Sequence, residues 1–209
     1  MASKSLKNLT APLSGNNPVI VQILGICSAL AVTVQLKPAI VMGLSVMVVT
    51  AFSNLVMSIL RKGVPSRIHI IVQLVVIATL VILVDQVLKA FVYDVSKELS
   101  VYVGLIITNC IVMGRVEAFA LQNKPWDSFL DGLGNGAGYG LILVIIAFFR
   151  ELLGSGKLFG FPVFEFEKFN LYELGYANCG LMLFPPMALI IVGCIIWVHR
   201  SFKKDLQEK

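Results

Sequence analysis

The residues with the widest chemical reach in this 209-residue sequence are its four cysteines, Cys27, Cys110, Cys179 and Cys194. No two form a C-x-x-C pair, so their spacing supports neither a zinc site nor a disulfide framework. Cys27 in GICSALAVT and Cys110 in TNCIVMG each stand in the middle of an apolar segment, where a free cysteine also serves as a small hydrophobic filler. The acids on apolar segments are equally two-sided. Asp85 precedes Lys89 by four residues, the spacing of a self-satisfied pair on one helical face, yet an acid inside a membrane helix also marks an ion path. Asp131 opens an apolar segment, where it is either a helix-dipole acid or a cation-attracting group on an ion path, the first being favoured. Arg115 with Glu117, and Arg150 with Glu151, read as interfacial anchors or intersubunit pairs. Gly132, Gly134, Gly136, Gly138 and Gly140 formally fit a dinucleotide fingerprint with Ala137, but no strand precedes them. Small residues at spacing four favour close helix packing instead. The GSGKL stretch has Leu158 where a phosphate loop needs Ser or Thr after Lys157. No nucleophile, base or flavin-attachment motif emerges.

These groups must be positioned by membrane helices. The chain is 57% hydrophobic and 14% charged, with a mean hydropathy of +0.87, a composition that soluble domains of this length do not have. A net charge of +5 would suggest nucleic acid in a soluble protein, but here the basic residues lie in loops and tails, so no nucleic-acid partner is expected. A span needs about 20 apolar residues. Six segments qualify, running approximately Val19 to Leu36, Ala39 to Leu60, Ile68 to Val92, Leu99 to Leu121, Gly132 to Leu153 and Leu181 to Val198. The polar residues 1–18 lack an apolar core and a cleavage site, so the first span is expected to remain in the mature chain. Placing both termini in the cytoplasm puts eleven of the seventeen basic residues on that side, as the positive-inside rule favours. The expected organisation is a cytoplasmic segment over 1–18, a membrane domain over 19–198 and a cytoplasmic tail over 199–209. A long loop over 154–180 then faces outward.

Spans one and four are not ordinary spanning helices. The first meets span two through Lys37 and Pro38 with hardly any loop, and the fourth carries Asn109, Cys110, Arg115 and Glu117. Charges at such depth are costly in lipid, and irregular backbone there is tolerated only where protein covers it. Both segments therefore read as half-helices. Each leads three spans, about 19–92 and 99–198, and two halves of odd span number must enter the membrane in opposite orientation. The expected fold is an all-α integral membrane protein of six transmembrane helices in two inverted three-helix repeats, with Cys27 and Cys110 as symmetry mates.

The segments NNPVIVQILGICSALAVT, VDQVLKAFVYDVSKELSVYVGLIITNCIVMGRVEAFA, DGLGNGAGYG and FFRELLGSGKLFG carry a resemblance that extends over nearly the whole chain. They resemble the D-type membrane subunits of the bacterial Na+-translocating NADH:quinone oxidoreductase. The related subunit of the Rnf ferredoxin:NAD oxidoreductase shares TNCIV and segments like GRVEAFA, whereas YDVSKELSV and GSGKLFG are closer to the quinone-reductase branch. The resemblance implies an electron-relay subunit of a six-subunit redox-driven Na+ pump in the bacterial inner membrane. It implies that Cys27 and Cys110 hold half of an intramembrane [2Fe-2S] cluster completed by a homologous, oppositely oriented E-type subunit. A cluster of this kind takes four thiolates, which two cysteines cannot supply alone. Half-helix N-termini would offset its negative charge, and Gly25, Thr108 and Asn109 could shape its surroundings. Flavin and quinone chemistry would belong to other subunits. Cys179 and Cys194 are not expected to be ligands, and residues 161–177 carry no motif. A stand-alone inverted-repeat transporter is the rival from another class.

Overall fold

Close helix packing at the glycine run is the feature around which the computed structural model is built. It describes residues 17–61, 63–65, 68–91, 102–155, 157–158, 161–162 and 184–202. In chain order the elements are α1 (Ile26–Val32), α2 (Leu36–Leu60), α3 (His69–Phe91), α4 (Val103–Ile107), α5 (Cys110–Arg115), a π-helical turn (Val116–Ala120), α6 (Pro125–Ser155) and α7 (Pro185–Phe202). A two-residue antiparallel ladder, β1 (Lys157–Leu158) with β2 (Phe161–Pro162), follows α6. Most of the N-terminal segment, the junction between the expected repeats, most of the expected outer loop with Cys179, and most of the C-terminal tail lie outside the described residues.

Among the described residues four helices, α2, α3, α6 and α7, are long and apolar enough to cross a membrane. The expected first and fourth spans are interrupted. With seven residues α1 extends only about 10 Å, a third of a hydrocarbon core. The fourth segment breaks at Thr108 and Asn109 between α4 and α5, and continues as the π-helical turn.

Helix starts differ from the hydropathy reading for identifiable reasons. α2 begins at Leu36 rather than Ala39, so Lys37 and Pro38 are not a connector but part of its first turn. Pro is tolerated there because the first four N–H groups of a helix have no intrahelical partner. α6 begins at Pro125, seven residues before Gly132, because Pro suits the first helical position although PWDSFLD is too polar to register as a span. α7 begins at Pro185 for the same reason.

Gly132, Gly136 and Gly140 of α6 face Ala51, Met47 and Gly43 of α2 in an antiparallel ladder. A Cβ added at Gly136 would lie 2.5 Å from the Met47 Cα, and one at Gly132 would lie 2.8 Å from the Ala51 Cα. Backbones that close gain dispersion contacts along their whole length, the main source of helix association where lipid removes the hydrophobic drive. Met42, Val46 and Val49 of α2 and Leu143 and Ile146 of α6 form the core, joined by Ile77 from α3, Ile111 from α5 and Val192 from α7. In the apolar windows of α2 and α6, 56% is buried within the chain, against 17% in α3 and 11% in α7, so α2 and α6 are central and the other two peripheral.

Candidate metal centre at two interrupted helices

The first cysteine is delivered by a tightly turned segment. Asn17 starts it, its Oδ1 accepting the Val19 N–H at 3.0 Å and its Nδ2 donating to the Gly138 carbonyl of α6 at 3.3 Å. Ile23 and Gly25 then take left-handed backbone angles, φ +56° and +79°. Gly tolerates this, whereas a β-branched residue does so only under constraint. The turn ends at Gly25, the residue preceding α1, and Cys27 stands exposed in the first turn of that helix.

The second cysteine is delivered by the break in the fourth segment. Asn109 leaves the helical conformation, and its Oδ1 accepts the Ile111 N–H at 3.1 Å, an N-cap that starts α5 at Cys110. Cys110 is also exposed. Among the described residues no three or more His, Cys, Asp or Glu side chains come together as a metal site, so these residues do not complete a four-thiolate set.

The two cysteine-bearing starts touch. Ser28, next to Cys27, accepts a hydrogen bond from Asn109 Nδ2 at 3.3 Å, next to Cys110. The Ser28 hydroxyl is also 2.6 Å from the Tyr139 hydroxyl of α6. Gly25 faces the same junction: a Cβ there would lie 2.6 Å from the Ile111 Cδ1 and 3.1 Å from Tyr139 Cε2. Gly25 and Asn109 both lie at this junction. Thr108 is exposed and donates instead to the Gly104 carbonyl of its own helix α4 at 3.0 Å.

Several charged groups are engaged within the chain. Asp85 pairs with Lys89 along α3, as the i, i+4 reading expects. Asp131 is the seventh residue of α6, beyond the first turn where a helix dipole acts, so the dipole reading of this acid is corrected. Its carboxylate accepts two hydrogen bonds from Arg115, one at 3.0 Å from Nε, and one from Asn135 at 3.0 Å. Arg115 is therefore paired within the chain. Arg150, fully buried, donates to the Thr33 Oγ1 at 2.7 Å and the Leu30 carbonyl at 3.3 Å, around the end of α1. Glu151 accepts the Leu36 N–H at 2.6 Å, the first donor of α2. The anchor reading of Arg150 and Glu151 gives way to caps on two helix ends inside the chain. Cys194 is exposed on α7, outside both interrupted segments.

Ser28 and Tyr139 were missed by sequence reasoning. Ser28 adjoins Cys27, but serine in an apolar helix commonly bonds its own backbone. Tyr139 hides within the glycine stripe, although it is the one aromatic side chain among those glycines.

Residues 5–196 match the family model described as "Rnf-Nqr subunit, membrane protein". The chain is 56% identical over 211 residues to the D-type subunit of the Na+-translocating NADH-quinone reductase of Haemophilus ducreyi, with all of both chains covered. The corresponding proteins of Haemophilus influenzae and Photobacterium profundum are 57% and 58% identical, covering 96% and 94% of this chain and 95% and 92% of their own.

Proposed function

Because the chain belongs to the Rnf-Nqr family of membrane-protein subunits, we propose that it is the electron-relay membrane subunit of a Na+-translocating NADH-quinone reductase, in which Cys27 and Cys110 hold half of a [2Fe-2S] cluster. The oxidoreductase role rests on full-length similarity to D-type subunits of that multi-subunit enzyme. One observation carries the cluster role: two exposed thiols stand at the starts of two interrupted helices that are joined side chain to side chain by Ser28 and Asn109. The donor set fits the group. Two accessible cysteines are half of the four thiolates that such a cluster takes, and their exposure leaves them open to a partner. The homologous E-type subunit would supply the other two. When bound, the cluster passes single electrons through the membrane, from the NADH-oxidising subunit on the cytoplasmic side towards covalent flavin on the outer side.

The residues of this chain hold the thiols in place. Gly25 lets α1 approach α5, and Asn109 fixes where α5 starts. In this reading α1–α3 and α4–α7 are inverted repeats in the bacterial inner membrane, with both termini cytoplasmic, and Cys27 and Cys110 are pseudo-symmetric. Asp131 and Asp85 are the acids on its membrane helices that could serve an ion path. Asp131 would do so only by exchanging Arg115 for the ion.

The test uses the purified complex. Cys27→Ala and Cys110→Ala are each expected to abolish the membrane cluster's EPR signal, lower iron per complex and stop NADH-driven quinone reduction. Full activity with unchanged iron would sink the assignment.

A further inference from the structure

We infer that Tyr139, on the central helix α6, is a positioning residue for both thiol ligands, acting through a buried hydroxyl hub at Ser28. This role rests on the cluster reading above. The hub's protons can be assigned by counting. A serine hydroxyl has one proton to donate and two lone pairs to accept with. The Ser28 hydroxyl donates to the Gly25 carbonyl at 3.0 Å, which uses its only proton. Asn109 Nδ2 fills one lone pair, since Asn109 Oδ1 is fixed by accepting from the Ile111 N–H. The 2.6 Å contact to Tyr139 must then be a bond that Tyr139 donates. Ser28 is thereby satisfied three times over, with no group left for another partner.

The consequence is mechanical. Ser28 and Gly25 flank Cys27, and Asn109 precedes Cys110, so a single atom, the Ser28 oxygen, ties together the backbone around both ligands. Ser28, Asn109 and Tyr139 are all buried, so water does not substitute when a member is lost. Tyr139 is the only member carried by neither cysteine segment. It refers both thiols to α6, which the glycine ladder locks against α2. The neighbouring Gly138 carbonyl, bonded to Asn17, anchors the approach to Cys27 to the same turn of α6.

Tyr139→Phe removes only the hydroxyl and keeps the ring against Gly25. In the assembled complex this variant is expected to retain iron at the wild-type level as isolated. Its reduced cluster should give broadened EPR lines, because the thiolate geometry is no longer single, and a shifted midpoint potential. It should also lose iron to a chelator about tenfold faster, the order of effect of one buried hydrogen bond. Ser28→Ala should do the same, because it removes the oxygen shared by Tyr139, Asn109 and the Gly25 carbonyl. Ile146→Val, at a fully buried position on the same helix, is the control for general loosening and should leave line shape and potential unmoved. Wild-type spectrum, potential and chelation rate in Tyr139→Phe would overturn the role, as would equal changes in Ile146→Val. Iron lost in Cys27→Ala with no change in Tyr139→Phe defeats the hub alone, whereas full iron in Cys27→Ala defeats the cluster reading beneath it.

Discussion

Gly136→Ala tests whether the α2–α6 ladder sets the geometry of the molecule. The new methyl would lie 2.5 Å from the Met47 Cα and 3.0 Å from its Cβ. Carbon atoms rest about 3.5–4.0 Å apart, so the helices must part by about 1 Å at this level. A gap of that size forfeits roughly a quarter to a half of each contact it opens. Overpacking of this kind costs about 1–3 kcal/mol, and the upper end applies because the obstacle is backbone and cannot rotate away. Alanine gains about 1 kcal/mol over glycine in helix propensity, leaving a net loss of about 2 kcal/mol. Gly193→Ala on α7 is the matched control, since among the described residues no atom outside its own helix turn lies within 4 Å of its added Cβ. It should be neutral or more stable by up to about 1 kcal/mol. The assay is the denaturation midpoint of the detergent-solubilised complex. Gly136→Ala should lower it and Gly193→Ala should hold or raise it, with Met47→Ala failing to rescue Gly136→Ala because the Cα remains. Equal midpoints for the two glycine variants would refute the reasoning.

Two further substitutions probe the buried charges. Arg115→Ala strands the buried Asp131 carboxylate, leaving it the bond from Asn135 but no countercharge from α5. A loss of about 3–5 kcal/mol is expected, seen as a lowered yield and midpoint of the complex, with recovery when Asp131→Asn is added. Arg150→Met keeps the volume but leaves the Leu30 carbonyl and the Thr33 hydroxyl without their donor. It should cost about 3 kcal/mol of stability, read as a lowered midpoint, and Arg150→Lys should restore little, because an ammonium cannot reproduce the guanidinium fork.

What the sequence discloses follows from the range of the forces involved. Apolar length marks α2, α3, α6 and α7, and the glycine spacing marks α6 as a close-packing helix, because both are local patterns. The breaks near Cys27 and Cys110 were legible too, as polar residues and a missing loop at positions a plain span would not tolerate. The start of α6 was not, since a hydropathy reading passes over Trp126, Asp127 and Asp131 although Pro125 favours a helix start. Long-range pairings such as Arg115 with Asp131, Glu151 with Leu36 and Tyr139 with Ser28 join residues from 16 to 115 positions apart. No spacing rule couples such positions, and the polar members accordingly read as anchors or as part of a glycine stripe.

Those pairings share one helix, and physical necessity accounts for it. A short helix inside a bilayer exposes backbone donors and acceptors at ends that lipid cannot satisfy, so protein must meet them. α6 does this at three levels. Asp131 holds Arg115 at the end of α5, Tyr139 holds the junction where α1 and α5 begin, and Arg150 closes the end of α1 while Glu151 caps the start of α2. The levels are about 12 Å and 16 Å apart along the axis, at about 1.5 Å per residue. α6 therefore spans the whole depth over which the two interrupted segments need support. A helix given this task must sit close to its neighbour and run without a break. The glycine ladder against α2 provides the first, and a continuous run of 31 residues provides the second. The junction beside Cys27 and Cys110 is thus joined to α6 through Tyr139, with Ser28 and Asn109 of the cysteine segments completing the network.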